Sequence, residues 1–191
     1  MAIYIDNISK SFDDKIVLKN FSLNIPDKSN ICIMGESGCG KTTLLKLILG
    51  LEKIDSGKIT GVKNKKIYAC FQEDRLVENL TAYRNIKIVA DKKISKESLI
   101  HEFTKIGLDN SVCDSKIRIL SGGMKRRIAI LRALVVDSDV VILDEPTKGL
   151  DDVNKKIVLD YILEKTKDKI LICVTHSLDE AKYISDTIVN M

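Results

Sequence analysis

The sequence predicts an α/β fold organised on a mostly parallel sheet, and three observations carry that expectation. Apolar runs of strand length stand at 30–34 (NICIM), 140–143 (VVIL) and 170–174 (ILICV), too evenly apolar to keep one face in water. After each comes a short loop and then a segment of helical periodicity, the alternation from which parallel sheets covered on both faces are built. The first of those loops, GESGCGKTT at 35–43, opens a helix whose stripe is Leu44, Leu45, Leu47, Ile48 and Leu51.

At 191 residues the chain suffices for one such domain with a substantial core. Hydrophobic residues make up 45% and charged residues 30%, ordinary proportions for a soluble protein. No apolar run approaches the roughly 20 residues needed to span a bilayer. The start, MAIYIDNISKSF, lacks the basic opening and apolar centre of a signal peptide. Cys32, Cys39, Cys70, Cys113 and Cys173 show no metal-ligand spacing and suit reduced thiols in a cytosol. The net charge of +4 is spread among interspersed acids, so no nucleic-acid partner is expected. Lys125, Arg126, Arg127 and Arg132 are expected on a solvated helix face.

In chain order, residues 2–8 and 16–25 alternate apolar and polar about the turn at Asp13 and Asp14, as an antiparallel pair would. Pro26 ends the second strand, and the strand at 30–34 follows. After the glycine loop and its helix, DSGKITGVKN reads as a turn leading into a strand at 67–71, with Gln72 directly beyond it. A helical subdomain is expected at roughly 73–137, with helices over 80–90 and 95–107 and a longer one over 120–137. Ser95 caps the second of these and Gly107 closes it. A further amphipathic helix spans 152–168, its stripe taking in Val153, Ile157, Val158, Tyr161 and Ile162. A last helix at 177–184 precedes a short final strand. No linker composition divides these pieces, so 1–191 reads as a single domain.

Strand, glycine loop and helix at 30–51 form the context in which G-x-x-x-x-G-K-[ST] is a phosphate cradle. Gly35, Gly38 and Gly40 let backbone N–H groups turn inward, and the helix N-terminus adds positive potential. Glu36, Ser37, Cys39 and Thr43 complete the loop; Lys41 is placed for the β- and γ-phosphates and the Thr42 hydroxyl for Mg²⁺. The adjacent acids Asp144 and Glu145, ending an apolar strand, divide the remaining work: Asp144 holds Mg²⁺ and Glu145 orients or deprotonates the attacking water. Ser121, Gly122 and Gly123, opening a second helix, make a second anion site of backbone amides. One nucleoside triphosphate does not need two such sites, so two chains facing head to tail, each covering the other's nucleotide, account for both.

The ordered set GESGCGKT, Gln72, LSGGM, ILDEP, GLD and His176 resembles the ATP-binding subunit of an ABC transporter over almost the whole chain. The resemblance implies the corresponding P-loop NTPase fold, with N-terminal antiparallel strands and a helical subdomain beside the parallel core. It also implies an ATPase with ATP and Mg²⁺ as cofactors. Gln72 would then link Mg²⁺ and water to a membrane partner, and Ser121, Gly122 and Gly123 would be the signature bound in trans. Asp151 would lie at the dimer seam, His176 against the γ-phosphate, and Phe12 on the adenine. FQEDRL and SGGMKRR are similar to the importer group for nitrate, sulfonates and taurine, although Arg126 stands where that group has Gln and Thr147 where it has Phe. The partners implied are a second copy of the chain, a membrane permease and an extracytoplasmic solute-binding protein. The place implied is the cytoplasmic face of the cell membrane. A soluble ABC ATPase acting on nucleic acid or ribosomes, and an exporter subunit, are the alternative readings.

Overall fold

The computed structural model describes residues 2–91 and 94–191. Met1, at the start of the expected domain, and Lys92 and Lys93, inside the expected helical block, lie outside the described residues. The chain begins with two long strands, β1 (Ile3–Phe12) and β2 (Lys15–Ile25), paired antiparallel about the Asp13–Asp14 turn. Next come β3 (Asn30–Met34), α1 (Lys41–Ile48), β4 (Ser56–Thr60) and β5 (Ile67–Cys70). Helices α2 (Ala82–Lys87), α3 (Lys96–Lys105) and α4 (Gly122–Leu134) then run to β6 (Val140–Asp144). The last elements are α5 (Asp152–Thr166), β7 (Ile170–Val174), α6 (Leu178–Ile184) and β8 (Thr187–Asn190).

Five strands form an all-parallel sheet in the order β5-β6-β7-β3-β8. Every residue of β6 and β7 is buried, which is why both read as unbroken apolar runs. Their side chains nevertheless alternate between two cores. Val141, Leu143, Leu171 and Cys173 pack with α4, α5 and the helices between β5 and β6. Val140, Ile142, Ile170, Ile172 and Val174 pack with Leu44, Leu45 and Ile48 of α1 and with Ile3, Ile5, Ile8 and Ile25 of the antiparallel strands. One face is thus covered by helices and the other by α1 together with a second sheet.

That second sheet has a third strand that the sequence reading took for a turn. Residues of β4 pair antiparallel with β1, Tyr4 opposite Thr60 and Ile5 opposite Ile59. The glycines here serve close packing of backbones. At Gly57, φ is +83° and a Cβ would lie 2.4 Å from the Asn7 carbonyl oxygen. The Asn7 backbone is itself left-handed, with φ of 47°, where β1 bulges away from its partners.

Two further expectations are corrected by burial. Arg126 and Arg127 are only 4% and 8% exposed, so the basic run of α4 is not a solvated face. Its guanidinium groups are instead satisfied by protein acceptors: Arg127 donates to the Gly107 carbonyl and to Asn154, and Arg132 to the carbonyls of Asp74 and Arg75. Val153, counted in the apolar stripe of α5, is exposed, because the first turn of that helix projects beyond the core that buries Val158, Tyr161 and Ile162. Ser95 caps α3 as expected, accepting from the Ser98 amide at 3.1 Å, and Gly107 follows that helix with φ of +77°.

A half-buried ionic contact joins α3 to α5. Glu102 Oε2 accepts from the Tyr161 hydroxyl and the Lys165 ammonium, each at 2.6 Å. Burial works to raise the Glu102 carboxyl, but the bonds from Lys165 and Tyr161 outweigh it and hold the group below its ordinary value. A depressed carboxylate stabilises the fold above its unfolded-state value and loses that contribution as pH falls through the folded one. Glu102→Gln is therefore expected to cost about 1–2 kcal/mol at neutral pH, shrinking toward zero below about pH 4. Urea titrations at the two pH values test this, and an equal loss at both would contradict it.

Candidate functional site

The parallel register brings four strand ends to one edge. Val174 pairs with Ile33 of β3 on one side and with Asp144 of β6 on the other, and Leu143 pairs in turn with Cys70 of β5. The segments that leave these ends are the glycine loop, Asp144 and Glu145, Thr175 and His176, and Phe71 and Gln72. The carboxyl edge of a parallel sheet is where such folds hold ligands. Here it forms a cleft of about 240 Å³ lined by Val17, Ser37, Gly38, Gly40, Lys41, Thr42, Thr43, Gln72, Asp144, Glu145 and His176.

The floor of the cleft is the start of α1. Among the described residues, the other five α-helices are capped by side chains, namely Thr81, Ser95, Ser121, Asp151 and Ser177. The N-cap of α1 is Gly40, with φ of 109° and no side chain to accept a hydrogen bond. A Cβ on Gly40 would lie 3.0 Å from the Val17 carbonyl oxygen, whereas one on Gly38 would meet nothing within 4 Å. The cradle is therefore open on the side of Gly38 and closed against β2 at Gly40. Its amides and the dipole of α1 suit an anion. Lys41, 7% exposed, folds back over the loop and donates to the carbonyls of Gly35 and Glu36, both at 2.8 Å. Cys39 Sγ lies 3.8 Å from the same ammonium.

Acidic groups face this cradle. Asp144, 3% exposed, accepts a hydrogen bond of 2.9 Å from the Thr42 hydroxyl. Burial raises its carboxyl above the ordinary value; the Thr42 bond opposes that rise and the neighbouring Glu145 charge adds to it. Glu145 has a left-handed backbone, φ 50°, rare for a residue with a side chain. Its Oε1 is 2.8 Å from His176 Nε2, and its Oε2 is 3.2 Å from the Lys148 ammonium. Hard oxygens from Thr42 and Asp144, adjacent to a phosphate cradle, are the donor set that suits a small divalent cation.

Gln72, Lys41, Thr42, Asp144, Glu145 and His176 thus share one cleft. Ser121, Gly122, Gly123 and Asp151 do not line it. Ser121 and Gly122 are exposed, and Ser121 Oγ accepts from the Met124 amide at 3.3 Å. Asp151 is exposed as well and caps α5 through the Asn154 amide at 2.9 Å, a bond that holds its carboxyl below the usual value. Phe12 also stands outside the cleft lining, 40% exposed, with the Lys10 ammonium 5.0 Å from its ring centre.

Sequence reasoning missed the group that joins the second and third of these segments. Glu180 accepts from Thr147 at 2.6 Å and from Thr175 at 2.8 Å. Both threonines are buried, and the tie keeps the loop after Glu145 against the loop that carries His176. The available signal was Thr147 itself, a hydroxyl where the family resemblance led one to expect a phenylalanine. Val17 was missed too, since a valine in an alternating strand carries no mark of a ligand-facing position.

The comparisons fit this geometry. The family model described as ABC transporter matches residues 18–148. The chain is 35% identical over its whole length to the spermidine/putrescine import ATP-binding protein PotA of Acetivibrio thermocellus, covering 58% of that protein. It is 33% identical, again over its whole length, to the sulfate/thiosulfate import ATP-binding protein CysA 1 of Chromobacterium violaceum, covering 59% of it. The chain therefore spans a little under three-fifths of these relatives. A dimeric post-hydrolysis state of the ATP-binding cassette MJ0796 bound to ADP and Pi superposes with a TM-score of 0.85 at 26% identity, covering 99% of this chain and 94% of that one. The fold is that of an ATP-binding cassette. The chain belongs to the ABC transporter family.

The Glu180 tie generates a thermodynamic expectation. Glu180→Leu strands two buried hydroxyls and should cost about 2 kcal/mol or more, because an unmade buried bond carries its full desolvation penalty. Adding Thr147→Val removes one stranded group and should recover part of that loss. Chemical denaturation of the single and double variants decides it; a double variant less stable than the single one would refute the tie.

Proposed function

We propose that this chain is the ATP-binding and ATP-hydrolysing subunit of a nutrient importer, working as a dimer on the cytoplasmic face of the cell membrane beneath a separate permease. The observation that carries this reading is the convergence of Lys41, Thr42, Gln72, Asp144, Glu145 and His176 on one cleft over an uncapped helix. Names of similar proteins, which include import ATP-binding proteins for polyamines and for sulfate, support it.

In this reading the amides of residues 35–43 take the phosphates, and the Lys41 ammonium leaves the carbonyls of Gly35 and Glu36 for phosphate oxygens of ATP. Phe12 stacks on the adenine. Thr42, Asp144 and Gln72 supply three hard oxygens for Mg²⁺, which when bound neutralises charge on the phosphates. Glu145 orients and deprotonates the attacking water, and His176, now held by Glu145, turns to the γ-phosphate. The exposed Ser121 and Gly122, with the half-buried Gly123, cover the nucleotide held by a second copy, with Asp151 at the seam. Contacts made only to the intact triphosphate favour the closed dimer, and hydrolysis removes them. A permease coupled to that closure, fed by an extracytoplasmic solute-binding protein, moves the solute.

Glu145→Gln should slow turnover about a hundredfold or more and accumulate an ATP-bound dimer detectable by sedimentation. Wild-type turnover in that variant, or monomers alone at saturating ATP, would sink the reading. Lys41→Ala should abolish nucleotide-dependent thermal stabilisation; a midpoint rise with ATP equal to that of the wild type would remove the phosphate assignment. Purification from its source should bring a membrane permease with the chain, and nucleic acid in its place would favour the soluble alternative.

A further inference from the structure

The guanidinium of Arg126 is heavily bonded beside the cleft, yet Arg126 is not one of the residues that line it. It lies in α4, five residues beyond Ser121, and is 4% exposed. Nη1 donates to the carbonyl of Phe71 at 2.7 Å, to that of Gln72 at 3.4 Å and to Asp74 Oδ1 at 3.0 Å. Nη2 donates to the carbonyls of Asp144 and Glu145 at 2.6 and 2.8 Å, and Nε to that of Pro146 at 3.0 Å. Every N–H of the group is used, and Asp74 neutralises it.

We infer that Arg126 is a positioning residue that locks the backbone on either side of the cleft, around Gln72 and around Glu145, to the helix that begins with the signature. The inference rests on the dimeric ATPase reading above. A lysine or glutamine has too few donors to reach both loops at once. Three of the residues held, Gln72, Asp144 and Glu145, line the cleft, and they are held by their carbonyls, leaving the side chains free to act. Glu145 depends on such support because its left-handed backbone persists only where the surroundings over-determine it. Arg132, six residues further along α4, holds the carbonyls of Asp74 and Arg75, so the loop after β5 is bound to the same helix twice. A displacement of Gln72 by bound nucleotide is thereby passed along α4 to Ser121, Gly122 and Gly123, the surface offered to the other subunit's nucleotide. Arg126 thus joins the two composite sites of the dimer.

The test uses the full chain with Arg126→Gln, Arg126→Lys and Asp74→Asn, and Arg126→Gln combined with Glu145→Gln. ATP affinity, kcat and KM are measured on the single variants, and ATP-driven dimerisation on the combined one. Arg126 does not touch the phosphate loop, so ATP affinity should stay within about threefold, while Arg126→Gln lowers kcat by about tenfold or more. Dimerisation of the combined variant should weaken relative to Glu145→Gln alone, and Arg126→Lys should lie between wild type and Arg126→Gln. A folded Arg126→Gln protein with wild-type kcat and dimerisation overturns the inference. So does an ATP affinity that falls in step with kcat, which would mark general loosening. If Arg126→Gln does not fold, Asp74→Asn decides: reduced kcat at unchanged ATP affinity supports the role, and unchanged kcat overturns it. A wild-type chain that neither hydrolyses ATP nor dimerises with it defeats the underlying reading, and this inference with it.

Discussion

The arrangement depends on one register. Val174, at the end of β7, is hydrogen-bonded in the ladder between Ile33 and Asp144, so β3, β6 and β7 stop at the same level. Side chains in a sheet reverse face with every residue, and a slip of one position would turn Val140, Ile142, Ile170 and Ile172 out of the core against α1. The hydrophobic effect, acting on strands buried on both faces, therefore specifies the level at which the polar residues emerge. Chemistry at the edge follows from packing in the middle.

Polar groups at that edge are then held by bonds between loops rather than within them. Glu180 fastens the loop after β6 to the loop after β7 through Thr147 and Thr175. Arg126 fastens the loop after β5 to the loop after β6 through main-chain carbonyls. Loops at a sheet edge have few ladder bonds of their own, so unpaired carbonyls need side-chain donors. A buried arginine with six acceptors meets that need at two loops together. The same ties explain how Glu145 keeps a strained backbone beside His176 at 2.8 Å.

The polar groups at the cleft are partnered by other groups of the chain. Lys41 sits on two carbonyls, Thr42 on Asp144, and Glu145 between His176 and Lys148. Each of these groups thus has a hydrogen-bond or charge partner at the site, which lowers the cost of holding charge where it is partly buried.

Much of the site was legible from the chain alone, because phosphate chemistry demands particular residue types at short, fixed spacings. Gly38, Gly40, Lys41 and Thr42 are adjacent in sequence, as are Asp144 and Glu145, and buried parallel strands advertise themselves as apolar runs. What the chain did not reveal is contact between residues far apart. The glycines of 56–61 read as a turn because close approach of β4 to Asn7 is a tertiary fact. The basic run of α4 read as solvated because a guanidinium facing carbonyls and one facing water have the same sequence. By itself the sequence determined the α/β alternation, the cradle and the acids, through local conformation and burial pattern. Only the folded structure decided which loops share an edge, that Arg126 and Glu180 join them, and that Ser121 and Asp151 lie outside the lining of their own cleft, since these depend on long-range register and packing.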